Sequence, residues 1–282
     1  MTKTAFVLAG GGSLGSVQVG MLLALEAHGI KPDLIVGSSV GAINGAYYAG
    51  APTAEGIERL RRIWIGLRRA DIFPIRLGSL FGLVRSRGFL IHSRSLRSLL
   101  GRHLPYGRLE AARVPIYVVA TDLLSGETVA LANGSVEDAV IASSAIPAAF
   151  APVRLDERYL VDGAVANNTP IRVAAQLGAT RIIVLPTGFG CALDTPPRGA
   201  IATALQAITL LIARQLVSDL ESLAGVAEII TVPPLCPLNC SPYDFSQSGE
   251  LVKRAAESTE RWLAANGLEP GVIPDALRAH RH

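Results

Sequence analysis

Asp33-Leu-Ile-Val-Gly-Ser-Ser-Val-Gly-Ala-Ile-Asn-Gly-Ala-Tyr-Tyr-Ala49 passes from an apolar strand pattern directly into a helix pattern, and the turn between them is Gly37-x-Ser39-x-Gly41. A strand–Ser–helix elbow forces the serine into a strained, exposed position at a helix N-terminus, where an otherwise poor nucleophile can be used. Ser39 is therefore the candidate nucleophile, with Gly37 and Gly41 as the small residues that let the chain turn. Upstream, Thr4–Ala9 reads as a strand and 15–28 as a helix, joined by Gly10-Gly11-Gly12-Ser13-Leu14-Gly15. Both glycine turns then open on the same carboxyl edge of one sheet.

Downstream the alternation continues. Pro115–Thr121 and Glu127–Leu131 read as strands, 135–144 as a helix, and 151–155 and 158–161 as two short strands. Helix 170–177 closes at Gly178, followed by strand Arg181–Leu185, helix 200–224, strand Glu228–Val232 and a last helix over about 246–265. Nearly continuous apolar strands separated by helices predict a three-layer α/β/α fold with a mainly parallel central sheet covered on both faces. No composition shift marks a linker. The expected organisation is one domain over 4–265, with 53–104 as an inserted helical cover and 266–282 as a loose C-terminal tail.

Composition narrows the function. A net charge of +3 over 282 residues gives no ground for a nucleic-acid partner. The charge is uneven, however: eleven arginines and one acid, Asp71, fall between Arg59 and Arg102, interleaved with apolar residues. Solvated arginine faces on helices covering a core are one reading, and peripheral contact with an anionic membrane through 59–102 is the other. The charge-free run Gly199–Ala213 is too short to span a bilayer and reads as a buried helix or an interfacial one. Thr4–Ala9 meets a glycine turn after six residues with no cleavage-type site, so it is a strand rather than a signal peptide. Cys191, Cys236 and Cys240 are odd in number and lack paired or zinc-type spacing, which predicts incidental thiols, no metal and a cytoplasmic setting.

Gly10-x-Gly12-x-x-Gly15 satisfies a dinucleotide fingerprint, but the acid such a site needs at the end of the second strand is absent: Val36-Gly37-Ser38-Ser39 stands there. The same loop suits an oxyanion site, because consecutive glycines at a helix N-terminus expose backbone N–H groups, and Gly11 and Gly12 are the expected donors. Of the five histidines, His28, His92, His103, His280 and His282, none follows a late strand, which argues against a Ser-His-Asp triad. A carboxylate must then take the serine proton. Asp122 and Asp162 both end strands, and spacing alone leaves the choice between them open.

Gly10-Gly11-Gly12-Ser13-Leu14-Gly15, Gly37-Ser38-Ser39-Val40-Gly41 and Asp162-Gly163-Ala164 follow one another in the order found in bacterial patatin-like phospholipases, which the chain resembles. Ala142-Ser143-Ser144-Ala145-Ile146-Pro147, Asp162–Pro170 and Asp244-Phe245-Ser246 are similar to further segments of that family. The resemblance implies a lipid acyl hydrolase with Ser39 as nucleophile and Asp162 as general base. It implies the Gly10–Gly15 loop (Gly10, Gly11, Gly12, Gly15) as oxyanion and substrate site, Gly163-Ala164 as the turn bringing Asp162 to Ser39, a lipid or other ester substrate, and no cofactor. The family usually carries Arg or Lys where this chain has Leu14. The competing readings are a non-catalytic or nucleotide-binding α/β protein using the glycine loop, and an acyltransferase with the same site.

Overall fold

The computed structural model describes residues 2–72, 93–189, 191 and 200–278. Its centre is an eight-stranded sheet: β1 Thr4–Leu8, β2 Leu34–Ser38, β3 Ile116–Asp122, β4 Thr128–Leu131, β5 Val153–Leu155, β6 Arg158–Asp162, β7 Arg181–Leu185 and β8 Glu228–Thr231. The order is β5-β6-β3-β2-β1-β7-β8, with β4 also on β3, and β3, β2, β1, β7 and β8 run parallel. Every residue of β2, and all of β1 and β7 except the first, is buried, as strands covered on both faces must be.

Helices α1 Gly15–Ala27, α2 Val40–Gly50, α3 Ala54–Gly66, α4 Arg69–Ile72, α5 Arg94–His103, α6 Val136–Ser143, α7 Ala164–Asn167, α8 Ile171–Gln176, α9 Ala200–Ser222 and α10 Ser248–Ala264 surround the sheet. One layer packs Phe6, Leu8, Ile35 and Ile183 against α1, α2 and α10; the other packs Val7, Val36, Ile182 and Val184 against α8 and the end of α9. The amphipathic stripe of α10, Leu251, Val252 and Ala255, lies along α1, where Gly20 has only its hydrogen to place against the Val252 carbonyl.

The sheet's register brings two distant segments together. β4 pairs Val118–Thr121 of β3, overlapping the residues that pair with β2 (116–119) and those that pair with β6 (120–122). One strand has two edges, so β2 and β6 must share the edge opposite β4, end to end. β2 is parallel to β3 and β6 antiparallel, so their C-termini converge: Ser38 pairs with Val119 and Asp162 with the next residue, Ala120. The residue after β2 is Ser39.

Three expectations need correction or qualification. The tail is not loose from Gly267: the Gly271 amide bonds the Ile229 carbonyl, and Leu277 is buried beside α8 and the end of α9. The described side chains of α9 from Thr203 to Gln215 are not buried; Ile208 is 50% exposed and Leu211 65%. In the cover, α3 turns Ile57, Leu60 and Trp64 inward and α5 turns Leu96 and Leu100 inward. Their arginines meet acids outside the counted window: Arg59 with Glu55, Arg61 and Arg62 with Glu58, Arg97 with Glu137 and Asp138. Residues 73–92, with Arg76, Arg85 and Arg87, lie outside the described residues. No helix among the described residues is long and apolar enough to cross a membrane, and no cluster of three metal-ligating side chains occurs among them. The three cysteines are thiols, not disulfides, with the Sγ atoms of Cys191 and Cys236 3.7 Å apart.

Candidate active site

Ser39 stands between β2 and α2 with φ 53° and ψ −123°, a left-handed conformation that costs a non-glycine residue about 1–3 kcal/mol. The turn is tight because the first turn of α2 crosses the ends of β1 and β2: a Cβ on Gly41 would strike the Leu8 carbonyl, and one on Gly37 the carbonyl of Gly41. The strain is held by Ser143 at the end of α6, whose Oγ accepts the Ser39 amide at 2.8 Å and donates to the Val119 carbonyl. Ser39 Oγ donates to Asp162 Oδ2 at 2.7 Å, and Asp162 Oδ1 accepts the Ala164 amide at 2.8 Å. Gly163 gives its amide to the Ser143 carbonyl and packs its Cα against Val119 O and Ser38 Oγ, which keeps this turn close to the elbow.

Asp162 is 3% exposed, and burial pushes its carboxyl up to about 6, against the lowering effect of its bonds from Ala164 and Ser39. Asp122, left open by spacing, uses Oδ1 to cap its own turn through the Leu124 and Ser125 amides. Among the described histidines, His28 bonds Glu260 on the surface, and His103 is an exposed residue at the end of α5, its pKa lowered first by partial burial and then by Arg102.

The glycine loop adjoins this pair, with Gly10 packed against the Ser39 Cβ. Gly11 has φ 157° and ψ 20°, and Gly12 has φ 59°, a left-handed conformation that glycine adopts without penalty. The Gly10 amide is used by the Asn168 carbonyl, its own carbonyl accepts from Thr187 Oγ1, and the Gly15 amide caps the short turn Gly12–Leu14. The Ser13 amide and hydroxyl bond the Pro242 and Ser241 carbonyls. Gly10 and Gly15 therefore hold the loop, while the Gly11 and Gly12 amides have no acceptor among the described residues. Gly15 also packs against Val40 and Trp64, and Leu14 is buried in the cavity wall.

The sequence reading missed the polar network that fixes the loop against the elbow. Gln18 Nε2 donates to the Ala9 and Leu185 carbonyls, and Asn44 Nδ2 donates to Gln18 Oε1 and Gly15 O. Asn44 Oδ1 accepts Trp64 Nε1 of the cover. Gln18 and Asn44 are both fully buried, and the only sequence signal was a polar residue inside an otherwise apolar helix. Ser143, Asn168, Thr187 and Pro242 were likewise without a predicted part. Ser143→Ala removes the group that satisfies both Ser39 N–H and Val119 O, so it is expected to cost about 1–3 kcal/mol in urea unfolding.

Two cavities meet at Ser39, Gly12 and Ile146. The smaller, about 80 Å3, passes under the cover between α2, α3 and α5 and has an almost wholly apolar wall, including Ile43, Leu60, Trp64 and Leu96. The larger, about 710 Å3, holds Asp162 and the glycine loop and is walled by α7, α9 and Asn239–Tyr243. Tyr243 has its phenol pKa raised, first by burial and then by the Asp162 charge.

The arrangement is that of an α/β protein with a serine elbow, a buried carboxylate and a glycine loop on the carboxyl edge of a mainly parallel sheet. Residues 6–175, more than half of the chain, match the patatin-like phospholipase family, and the chain belongs to that family. It is 31% identical over 206 residues to an uncharacterized NTE family protein of Mycobacterium tuberculosis, covering 68% of this chain and 33% of that protein. It is 27% identical over 186 residues to human patatin-like phospholipase domain-containing protein 6, covering 65% of this chain and 13% of that one. It thus spans a third or less of the length of these two relatives. The structure of human GIVD cytosolic phospholipase A2, in complex with methyl gamma-linolenyl fluorophosphonate, shares the fold: the TM-score is 0.52 at 13% identity, over 98% of this chain and 59% of that one.

Proposed function

We propose that the chain is a serine lipid acyl hydrolase, of phospholipase A or esterase type, that cleaves carboxylic esters through Ser39 and Asp162. The observation that carries this reading is the 2.7 Å bond from Ser39 Oγ to Asp162 Oδ2, in a buried site between two largely apolar cavities. Family membership supports lipid hydrolysis.

In the acylation step Asp162 accepts the Ser39 proton as Oγ attacks the ester carbonyl. The negative charge that develops on the carbonyl oxygen falls to the unpaired Gly11 and Gly12 amides and the N-terminus of α2. The C–O bond to the alcohol breaks, and the alcohol leaves with the proton that Asp162 had taken. A water then gives its proton to Asp162 while attacking the acyl-enzyme, and Ser39 recovers its proton as the carboxylic acid departs. Burial helps here: a carboxylate with a pKa near 6 is a stronger base than an ordinary aspartate.

The same shift sets the pH dependence. Asp162 acts only when ionised, so kcat/KM for an uncharged p-nitrophenyl ester is expected to rise about tenfold per pH unit up to about 6 and level off above it. A profile flat from pH 5 to 8, or one with its inflection in the ordinary carboxylate range, contradicts Asp162 as the base.

A further inference from the structure

We propose that the N-terminal half of α9 lies on a lipid surface and delivers substrate from it into the larger cavity; the delivery, though not the docking, rests on the lipid hydrolase reading above.

The run Gly199–Ala213 carries no charge, which in a covered helix would mean burial. Yet among the described side chains from Thr203 to Gln215 none is buried; Leu216 is the first. Ile208, Leu210 and Leu211 are 50%, 47% and 65% exposed. Leu210 and Leu211 share one turn and form an apolar face, with Ile208 on its flank, and among the described residues this face stands open.

The opposite side of these turns identifies the occupant. Thr209, Ile212 and Ala213 wall the cavity that holds Ser39 and Asp162, with Ile208 on the flank between the two sides and Val165 of α7, itself 57% exposed, also in the wall. Gln215 Nε2 donates to the Ala166 carbonyl, tying α9 to the turn that follows Asp162. One apolar wall therefore runs from solvent to the nucleophile, and an acyl chain leaving a bilayer there would follow it without crossing water. Arg214 is exposed and lies three and four residues beyond Leu211 and Leu210, on the same side of the helix, where a guanidinium can reach lipid headgroups while its stem stays in the apolar layer. The run is too short to span a bilayer, so the helix would lie in the interface plane.

Vesicles of phosphatidylcholine, with and without phosphatidylglycerol, test this by co-sedimentation with the full chain, alongside turnover of p-nitrophenyl butyrate and sedimentation velocity. Wild-type protein is expected to bind both, more tightly with the anionic lipid. The double variant Leu210→Glu/Leu211→Glu is expected to lose at least tenfold in vesicle affinity and to keep turnover of the soluble ester within twofold. Arg214→Glu, which removes no apolar packing, is expected to abolish the preference for the anionic vesicles. The proposal is overturned if wild-type protein does not bind vesicles, or if the double variant binds as well as wild type. It is also overturned if wild-type protein is a dimer that the double variant turns into a monomer, since a second copy then covers this face. Vesicle binding that depends on Leu210 and Leu211, with no ester turnover by any form, leaves this surface standing and removes the hydrolase reading.

Discussion

Ser39→Ala is expected to lower kcat for a p-nitrophenyl ester by about 10⁴–10⁶-fold, as loss of a nucleophile that acts in concert with its base does. The fold should survive, because Ala keeps the backbone that Gly37, Gly41 and Ser143 hold and removes only the hydroxyl bonded to Asp162. Circular dichroism and urea unfolding check this. Ser39→Gly separates strain from chemistry. It should be equally inactive, yet more stable than Ser39→Ala by about 1–2 kcal/mol, because φ 53° costs glycine little. Equal stability of the two variants would mean that the elbow stores no strain.

Asp162→Asn is expected to lower kcat by about 10²–10⁴-fold with little change in KM, the usual range for a lost general base. It should also stabilise the protein. In the fold the carboxyl holds its proton up to about pH 6, but in the unfolded chain only to the ordinary value of 3.8. The native state therefore binds more protons between those values, and its stability falls as pH rises through that window, by about 3 kcal/mol in all. Asn carries no charge to bury. The variant should unfold at higher urea than wild type at pH 8, with the difference vanishing near pH 4. A variant less stable than wild type at pH 8 would show that the carboxylate charge is stabilised by the fold rather than penalised by it.

The sheet was legible because buried parallel strands are continuous apolar runs: Arg181–Leu185 is observed as expected, and β1, β2, β3 and β8 differ from the sequence reading only at their ends. Ser39 was legible because glycines two residues away on each side mark a turn with little room. Asp162 could be singled out only through resemblance. Its role depends on β6 running antiparallel along the C-terminal part of one edge of β3 while β2 runs parallel along the N-terminal part of the same edge, and strand direction leaves no periodic trace in the sequence. Asp122 ends its strand just as plainly, and only its own turn amides set it apart. The buried alternative for α9 failed for a different reason: an apolar run reports that burial is favourable and says nothing of whether protein supplies the cover. Gln18 and Asn44 were invisible because a buried polar pair is defined by partners on other elements, here from 9 to 167 residues away.

The most direct test of the account is reaction with a fluorophosphonate probe followed by peptide mass spectrometry. Wild-type protein is predicted to take up one equivalent, on the peptide containing Ser39, with Asp162→Asn labelled at least about 100-fold more slowly and Ser39→Ala not at all. Ester turnover with no label on Ser39, or labelling of Ser39 at an equal rate in wild type and Asp162→Asn, would contradict it.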